Sequence, residues 1–200
     1  MNANVEYSNA VELRDSVPAL EIRYGAVYLP INDHIAWEND PSWGLYDLDG
    51  HLIQAGAYYR GPGKNLVGQS QHRDLTMLEF ETAPPGDYIY GGNLISHFGH
   101  FLLGFLSRFW IGQHLDLSKH KIICHGAGTP EGWLSHKFVR DILSSIGIDQ
   151  HNLMVFKRPT IIENLLVPWP SCEEHNYVHT NYASWGNMVG QSLLRNRNLA

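Results

Sequence analysis

Apolar positions follow two patterns along the chain, and they meet near residue 86. Before that point apolar and other residues alternate over short stretches, as half-buried strands do. Leu20 to Pro30 alternates around Gly25 and predicts one such strand. Trp43 to Ile53 carries Asp49-Gly50 between two apolar runs, a short-range hairpin signal. Gly61-Pro62-Gly63-Lys64-Asn65 and Pro84-Pro85-Gly86-Asp87 read as turns, with a polar stretch between them that predicts no element.

After residue 86 strand-like and helix-like segments alternate. Asp87 to Tyr90 predicts a short strand, followed by a Gly91-Gly92-Asn93 turn. Ser96 to about Leu115 predicts a helix with Ser96 as N-cap. Lys121 to His125 reads as a short buried strand closed by Gly126-Ala127-Gly128. Thr129 as N-cap and Pro130 at the first helical position open a helix over Glu131 to Ser145, stopped by Gly147. Strands follow at Leu153 to Phe156 and Thr160 to Val167, then a Pro168-Trp169-Pro170-Ser171 loop and a last helix from Tyr182 to about Arg197. This order predicts an α/β fold with a parallel sheet. A β-rich N-terminal segment over 1–85 precedes an α/β layer over 86–200, with no internal repeat.

Composition narrows the function classes. A length of 200 residues is a prior for about one domain. The net charge of -6 argues against a general nucleic-acid footprint, which needs a basic face. A local cluster can still bind an anionic small molecule. Six Trp and ten Tyr suit sugar stacking, and equally a well-filled core. Cys124 and Cys172 form no CxxC pair, so reduced thiols in a cytoplasmic protein are expected. The first residues lack the basic and apolar regions of a signal peptide. The apolar run Phe98 to Ile111 is interrupted by His100, Ser107 and Arg108, and falls short of the ~20 residues that span a bilayer. Membrane contact is expected to be peripheral at most.

Candidate chemistry concentrates at the start of that run. His97 and His100 stand at i and i+3, on one helix face. Such a pair can exchange protons near neutral pH, bind a metal, or merely cap a helix. The metal reading, a hydrolase with a distant third ligand, is weaker because HExxH spacing is absent. Free backbone N–H groups at the helix start favour a phosphate or developing oxyanion and keep a nearby imidazole neutral. Gly99 between the histidines costs about 1 kcal/mol of helix propensity, which is useful where a ligand comes close. Gly126, Gly128 and His125 sit where an α/β fold binds ligands, though a plain strand-to-helix turn is the other reading. Arg108 reads as a solvated or interdomain charge, or a partner for phosphate. His175 and His179, with Tyr177 and Asn181, form a polar aromatic stretch that faces a cleft or solvent. Trp169 between two prolines is a sugar platform or a packing wedge, and Lys157-Arg158 a solvated pair.

Gly91-Gly92-Asn93-Leu94-Ile95-Ser96-His97-Phe98-Gly99-His100-Phe101-Leu102-Leu103, with Leu106, Arg108 and Trp110 beyond it, resembles the signature of the family 61 glycosyltransferases, formerly the DUF563 domain. The likeness is to bacterial members associated with capsular and other surface polysaccharide. It spans roughly residues 85 to 195 and is specific only at the His-Phe-Gly-His-Phe-Leu-Leu segment. It implies a GT-B architecture of two Rossmann-like domains, of which this chain resembles the N-terminal, acceptor-side half. It further implies inversion at the anomeric carbon, a nucleotide-sugar donor, a carbohydrate acceptor and no metal or other cofactor. His100 becomes the expected general base, with His97 second or as an orienting partner. Asn93, Gly99, Arg108, His125, Gly126 and Gly128 become expected substrate-binding positions. Gly104 departs from the acidic residue often found one turn after the base. The C-terminal donor half, with its basic residues for the diphosphate, is not within the 200 residues. Loss of that half would leave an apolar face exposed near Phe105 and Phe109. The rival expectation is a non-catalytic carbohydrate- or partner-binding module.

Overall fold

The computed structural model describes residues 11–61 and 65–198. Most of the turn expected at 61–65, like the start of the 1–85 segment, lies outside the described residues. Strands β1 (Glu12–Arg14), β2 (Leu20–Leu29), β3 (Gly44–Tyr46), β4 (Tyr59–Arg60), β5 (Asn65–Leu66) and β6 (Glu81–Thr82) come from the first part of the chain. β7 (Tyr88–Asn93), β8 (Lys121–His125), β9 (Leu153–Met154), β10 (Thr160–Pro168), β11 (Cys172–Glu173) and β12 (Tyr177–His179) follow. The helices are α1 (Phe98–His100), α2 (Pro130–Ser135), α3 (Lys137–Ser145) and α4 (Thr180–Asn198).

The fold is mixed α/β. Its main sheet runs β3-β2-β10-β7-β8-β9, with β6 also alongside β10. β10, β7, β8 and β9 are parallel neighbours, while β2 and β3 add an antiparallel edge. β2 pairs with β10 along most of its length, from Leu20 opposite Pro168 to Tyr28 opposite Thr160. The boundary near residue 86 is therefore a change of local pattern within one hydrogen-bonded sheet.

Alternation along the central strands explains why both faces are covered. Ile89 of β7 and Ile122 and Cys124 of β8 face a core shared with the helices, including Phe101, Phe105, Phe109, Trp133 and Trp185. Tyr88, Tyr90 and Ile123 point the other way, onto Tyr28, Leu45, Ile53 and Ile162. Phe105 and Phe109 are fully buried, so the apolar face expected there is absent from the surface. Phe98 is instead the exposed aromatic of this segment.

The hairpin expected around Asp49-Gly50 is present. Gly50 takes φ +84°, and the Asp47 N–H donates to the His51 carbonyl. Gly147 likewise ends α3 with φ +82°, while the Ile148 N–H reaches back to the Leu143 carbonyl.

Three local expectations are corrected. Gly91-Gly92-Asn93 belongs to strand β7 and carries a bulge between Tyr90 and Gly92. Glycine is required at both positions by close packing. A Cβ on Gly91 would lie 2.8 Å from the Phe105 ring, and one on Gly92 2.6 Å from Arg108 Nε. The helix expected from Ser96 starts at Phe98 with His97 in the capping position. It continues as a π turn over Phe101–Phe105 and a 3-10 stretch over Leu106–Gln113. π turns inside helices are frequent at functional sites, and 3-10 stretches often mark hinges or strain. The helix expected over Glu131 to Ser145 breaks at His136, whose extended backbone separates α2 from α3.

Candidate functional site

Strand order locates the site before any side chain is considered. From β7 the chain steps outward through helical crossovers to β8 and then β9, and β10 returns on the opposite side of β7. Connections therefore part company between β7 and β10, leaving a crevice beyond their carboxyl ends, where open α/β sheets bind ligands. The segments leaving those two ends line one pocket. His100, Leu103, Gly104 and Arg108 come from the segment after β7, and Pro170, Cys172, Glu173 and Glu174 from the segment after β10. Tyr58 and Tyr59 close it from the N-terminal part. The enclosed space is ≈ 20 Å³, about what one water or hydroxyl needs. A larger ligand would lie across the mouth and insert one group.

His100 stands at one end of a polar relay. Arg60 Nη2 lies 3.1 Å from His100 Nε2. Because a guanidinium only donates, this contact makes Nε2 the acceptor and places the neutral ring's proton on Nδ1. Arg60 Nε in turn donates to Glu174 Oε2 at 3.2 Å. His175 Nε2 stands 3.6 Å from the other oxygen of Glu174. His175 is the non-glycine residue with a left-handed backbone among those described, φ 58°, at the tip of the β11–β12 hairpin. The His97 ring lies 5.0 Å from that of His100 and is exposed. Burial first, then the Arg60 charge, holds the His100 imidazole below its usual range, against a raising pull from Glu174. Burial and the two neighbouring glutamates push the Cys172 thiol up to about 11, so it stays protonated near neutral pH.

Sequence reading found His100 and His97 but not Arg60 or Glu174. Neither stands near them in the chain, and each belongs to a short hairpin whose position depends on tertiary packing. Glu174 is an acidic group near His100, but it bonds Arg60 and not the imidazole. A Cβ on Gly104 would lie 3.0 Å from Tyr58 Cε2, so glycine there admits the tyrosine ring. Gly104→Asp is expected to displace Tyr58 and destabilise the fold by about 1–3 kcal/mol, read from urea unfolding. Unchanged stability would mean that the glycine is not required by packing.

The other expected substrate-binding residues sit elsewhere. Above Gly99 a Cβ would meet only the His97 ring, at 3.9 Å, so that surface is open. Asn93, the last residue of β7, is buried, and neither its Nδ2 nor its Oδ1 has a hydrogen-bond partner among the described residues. His125 lines no crevice. It stacks on Tyr28 with ring centroids 4.0 Å apart, meets the Tyr90 hydroxyl at 2.7 Å through Nδ1, and donates from Nε2 to the Leu29 carbonyl. Gly126 and Gly128 take positive φ because the loop folds around Trp133, whose indole donates to the Ala127 carbonyl.

Arg108 is neither solvated nor paired with an anion. It is 2 % exposed and donates to the carbonyls of Ala55, Ala57 and Pro168. His179 bonds the Ser16 carbonyl from a buried position, and Trp169 is a packing wedge that donates to Glu21. Lys157 and Arg158 pair with Asp33 and Glu81.

Among the described residues, no cluster of three or more His, Cys, Asp or Glu is placed to hold a metal ion. None of their helices is long and apolar enough to cross a membrane. No family model, no curated protein and no solved structure matches this chain.

Proposed function

We propose that the chain is the acceptor-side, Rossmann-like part of an inverting glycosyltransferase that uses a nucleotide sugar to extend a surface polysaccharide. The observation that carries this reading is the placement of His100, beside Arg60 and Glu174, beyond the carboxyl ends of β7 and β10. The His-Phe-Gly-His-Phe-Leu-Leu resemblance supports the same assignment. In the reaction, an acceptor hydroxyl inserted into the pocket attacks C1 of the donor sugar. Its oxygen forms the new bond to C1, the bond from C1 to the diphosphate breaks, and the hydroxyl proton passes to His100. Glu173 and Glu174 accept hydrogen bonds from neighbouring sugar hydroxyls, and Tyr59 offers an aromatic face. No metal or other cofactor enters this scheme. The donor half is supplied by protein outside these 200 residues. The reading is cytoplasmic, with any membrane contact peripheral, near the exposed Phe98 and the apolar groove it shares with Leu102, Phe138 and Tyr182.

Calorimetry should detect acceptor oligosaccharide binding to this chain and no binding of UDP- or GDP-sugars. Donor binding without acceptor binding would reverse the assignment of sides. In the complete enzyme His100→Ala is expected to lower turnover by about 10²-fold or more, and His97→Ala far less. Equal, small effects would remove His100 as the base.

A non-catalytic carbohydrate-binding module is the second reading. One observation favours it: the Nε2 lone pair of His100 is occupied by Arg60. Acceptor binding without transfer, even with the donor half present, would select it.

A further inference from the structure

We propose that Arg60 is an oxyanion-binding residue whose contact with His100 is released when the substrate presents a carboxylate or phosphate. The inference rests on reading this pocket as the acceptor site. In the structure the Nε2 lone pair accepts from Arg60 at 3.1 Å, and the neutral ring then carries its proton on Nδ1. With both nitrogens committed, His100 takes no proton until Arg60 moves. Arg60 can move, because its side chain is 38% exposed and, among the described residues, its other side-chain hydrogen bond is one of 3.2 Å to Glu174. It belongs to a two-residue strand that, among the described residues, pairs with β5 alone. A substrate oxyanion at the mouth replaces His100 as a partner of the guanidinium, by the two-pronged pairing arginine makes with carboxylate and phosphate. Nε2 is thereby freed and the nearby positive charge is compensated.

Buried Arg108 cannot play this part, because its guanidinium serves three backbone carbonyls. The ligand class is thus an anionic sugar or a sugar phosphate, and a neutral sugar leaves the base covered. The charged and titratable groups facing His100 are Arg60 from β4, Glu174 from the turn after β11, and His97 from its own segment. Glu173, Cys172, Tyr58, Tyr59 and Arg108 are the other titratable or charged residues that line the pocket.

The test is an NMR titration of His100 in the 200-residue chain, assigned with a His100→Gln variant. Sodium glucuronate, sodium pyrophosphate and glucose are the probes. Glucuronate represents an acidic acceptor and pyrophosphate the donor diphosphate. An oxyanion should raise the His100 titration by about 1 pH unit and move the Nε2 resonance away from its bonded position. Response to glucuronate alone assigns the acceptor, to pyrophosphate alone the donor, and to both the shared chemistry. Arg60→Gln should titrate at the higher value without any probe and respond to neither. The proposal is overturned if no anion shifts wild type, if glucose shifts it equally, or if Arg60→Gln still responds. None of these readouts uses turnover, so they stand apart from the fate of His100 as the base.

Discussion

Arg108→Leu is expected to destabilise the protein by on the order of 3–5 kcal/mol, a large part of the stability of a domain this size. The reason is the set of acceptors left behind. Arg108 Nη1 donates to the carbonyls of Ala55 and Pro168, and Nη2 to that of Ala57 at 3.0 Å. Each buried carbonyl without a donor costs about 1–3 kcal/mol. Leucine removes the charge, and with it the desolvation cost of a guanidinium, but supplies no donor. Arg108→Lys keeps the charge, yet one ammonium cannot span three carbonyls from two segments, so an intermediate loss is expected. Urea unfolding near neutral pH measures both. A wild-type midpoint for Arg108→Leu, combined with loss of ligand binding, would return Arg108 to the substrate-binding role that its sequence position suggests. The three carbonyls belong to the loop before β4 and to the end of β10, so this side chain ties the N-terminal segment to the parallel strands beside the pocket.

Arg108 also shows where sequence reading reaches and where it ends. Periodicity located β2, β7, β8 and β10 of the main sheet because alternation on a two-sided sheet is recorded residue by residue, as in Tyr88, Ile89 and Tyr90, whereas the two-residue β6 lies in the polar stretch that predicts no element. It located α4 and the Gly147 stop for the same local reason. Partners of an inward-pointing arginine are not local. They lie more than 50 positions away, at Ala55 and Pro168, and no spacing rule connects them. His97 and His100 were legible because histidines at i and i+3 stand out from an apolar run. Arg60 and Glu174 were not, because each is an ordinary surface residue until the hairpins are folded. The glycines misled in an instructive way. Gly91-Gly92 reads as a turn by composition, whereas the Phe105 ring and the Arg108 side chain need that room against a strand. Gly126 and Gly128 left a ligand cradle and a plain strand-to-helix turn both open, and the space they leave is filled by Trp133. A glycine marks close approach, and sequence alone does not say what approaches.

His125 should make the protein acid-labile well above the range where carboxylates act. The ring is fully buried among Tyr28, Trp43 and Tyr90, with both nitrogens in hydrogen bonds. Burial lowers its pKa to about 3, against a small raising effect of the Leu29 carbonyl. The unfolded chain takes up a proton near the ordinary histidine value of about 6.5. Between these limits the unfolded state binds more protons, so stability falls as pH falls. The loss begins near pH 6.5, reaches about 2 kcal/mol by pH 5, and totals roughly 4–5 kcal/mol at pH 3. His100, also held below its usual value, adds to the upper part of the same limb. The lowered carboxylates Asp74, Asp116 and Glu131 act in a different window. Their contribution is present above the ordinary carboxylate range and is lost only as pH falls through and below it. Above about pH 5.5 urea midpoints therefore report the histidines, and below it the carboxylates contribute equally to wild type and to a His125 variant. His125→Asn is expected to be less stable than wild type at pH 7.5, because it gives up the stack on Tyr28 and the bonds to Tyr90 and Leu29. Its decline toward pH 4.5 should nevertheless be clearly shallower. Parallel curves for the two proteins would mean that His125 does not set the acid limb, and that the ring is not held neutral in the core.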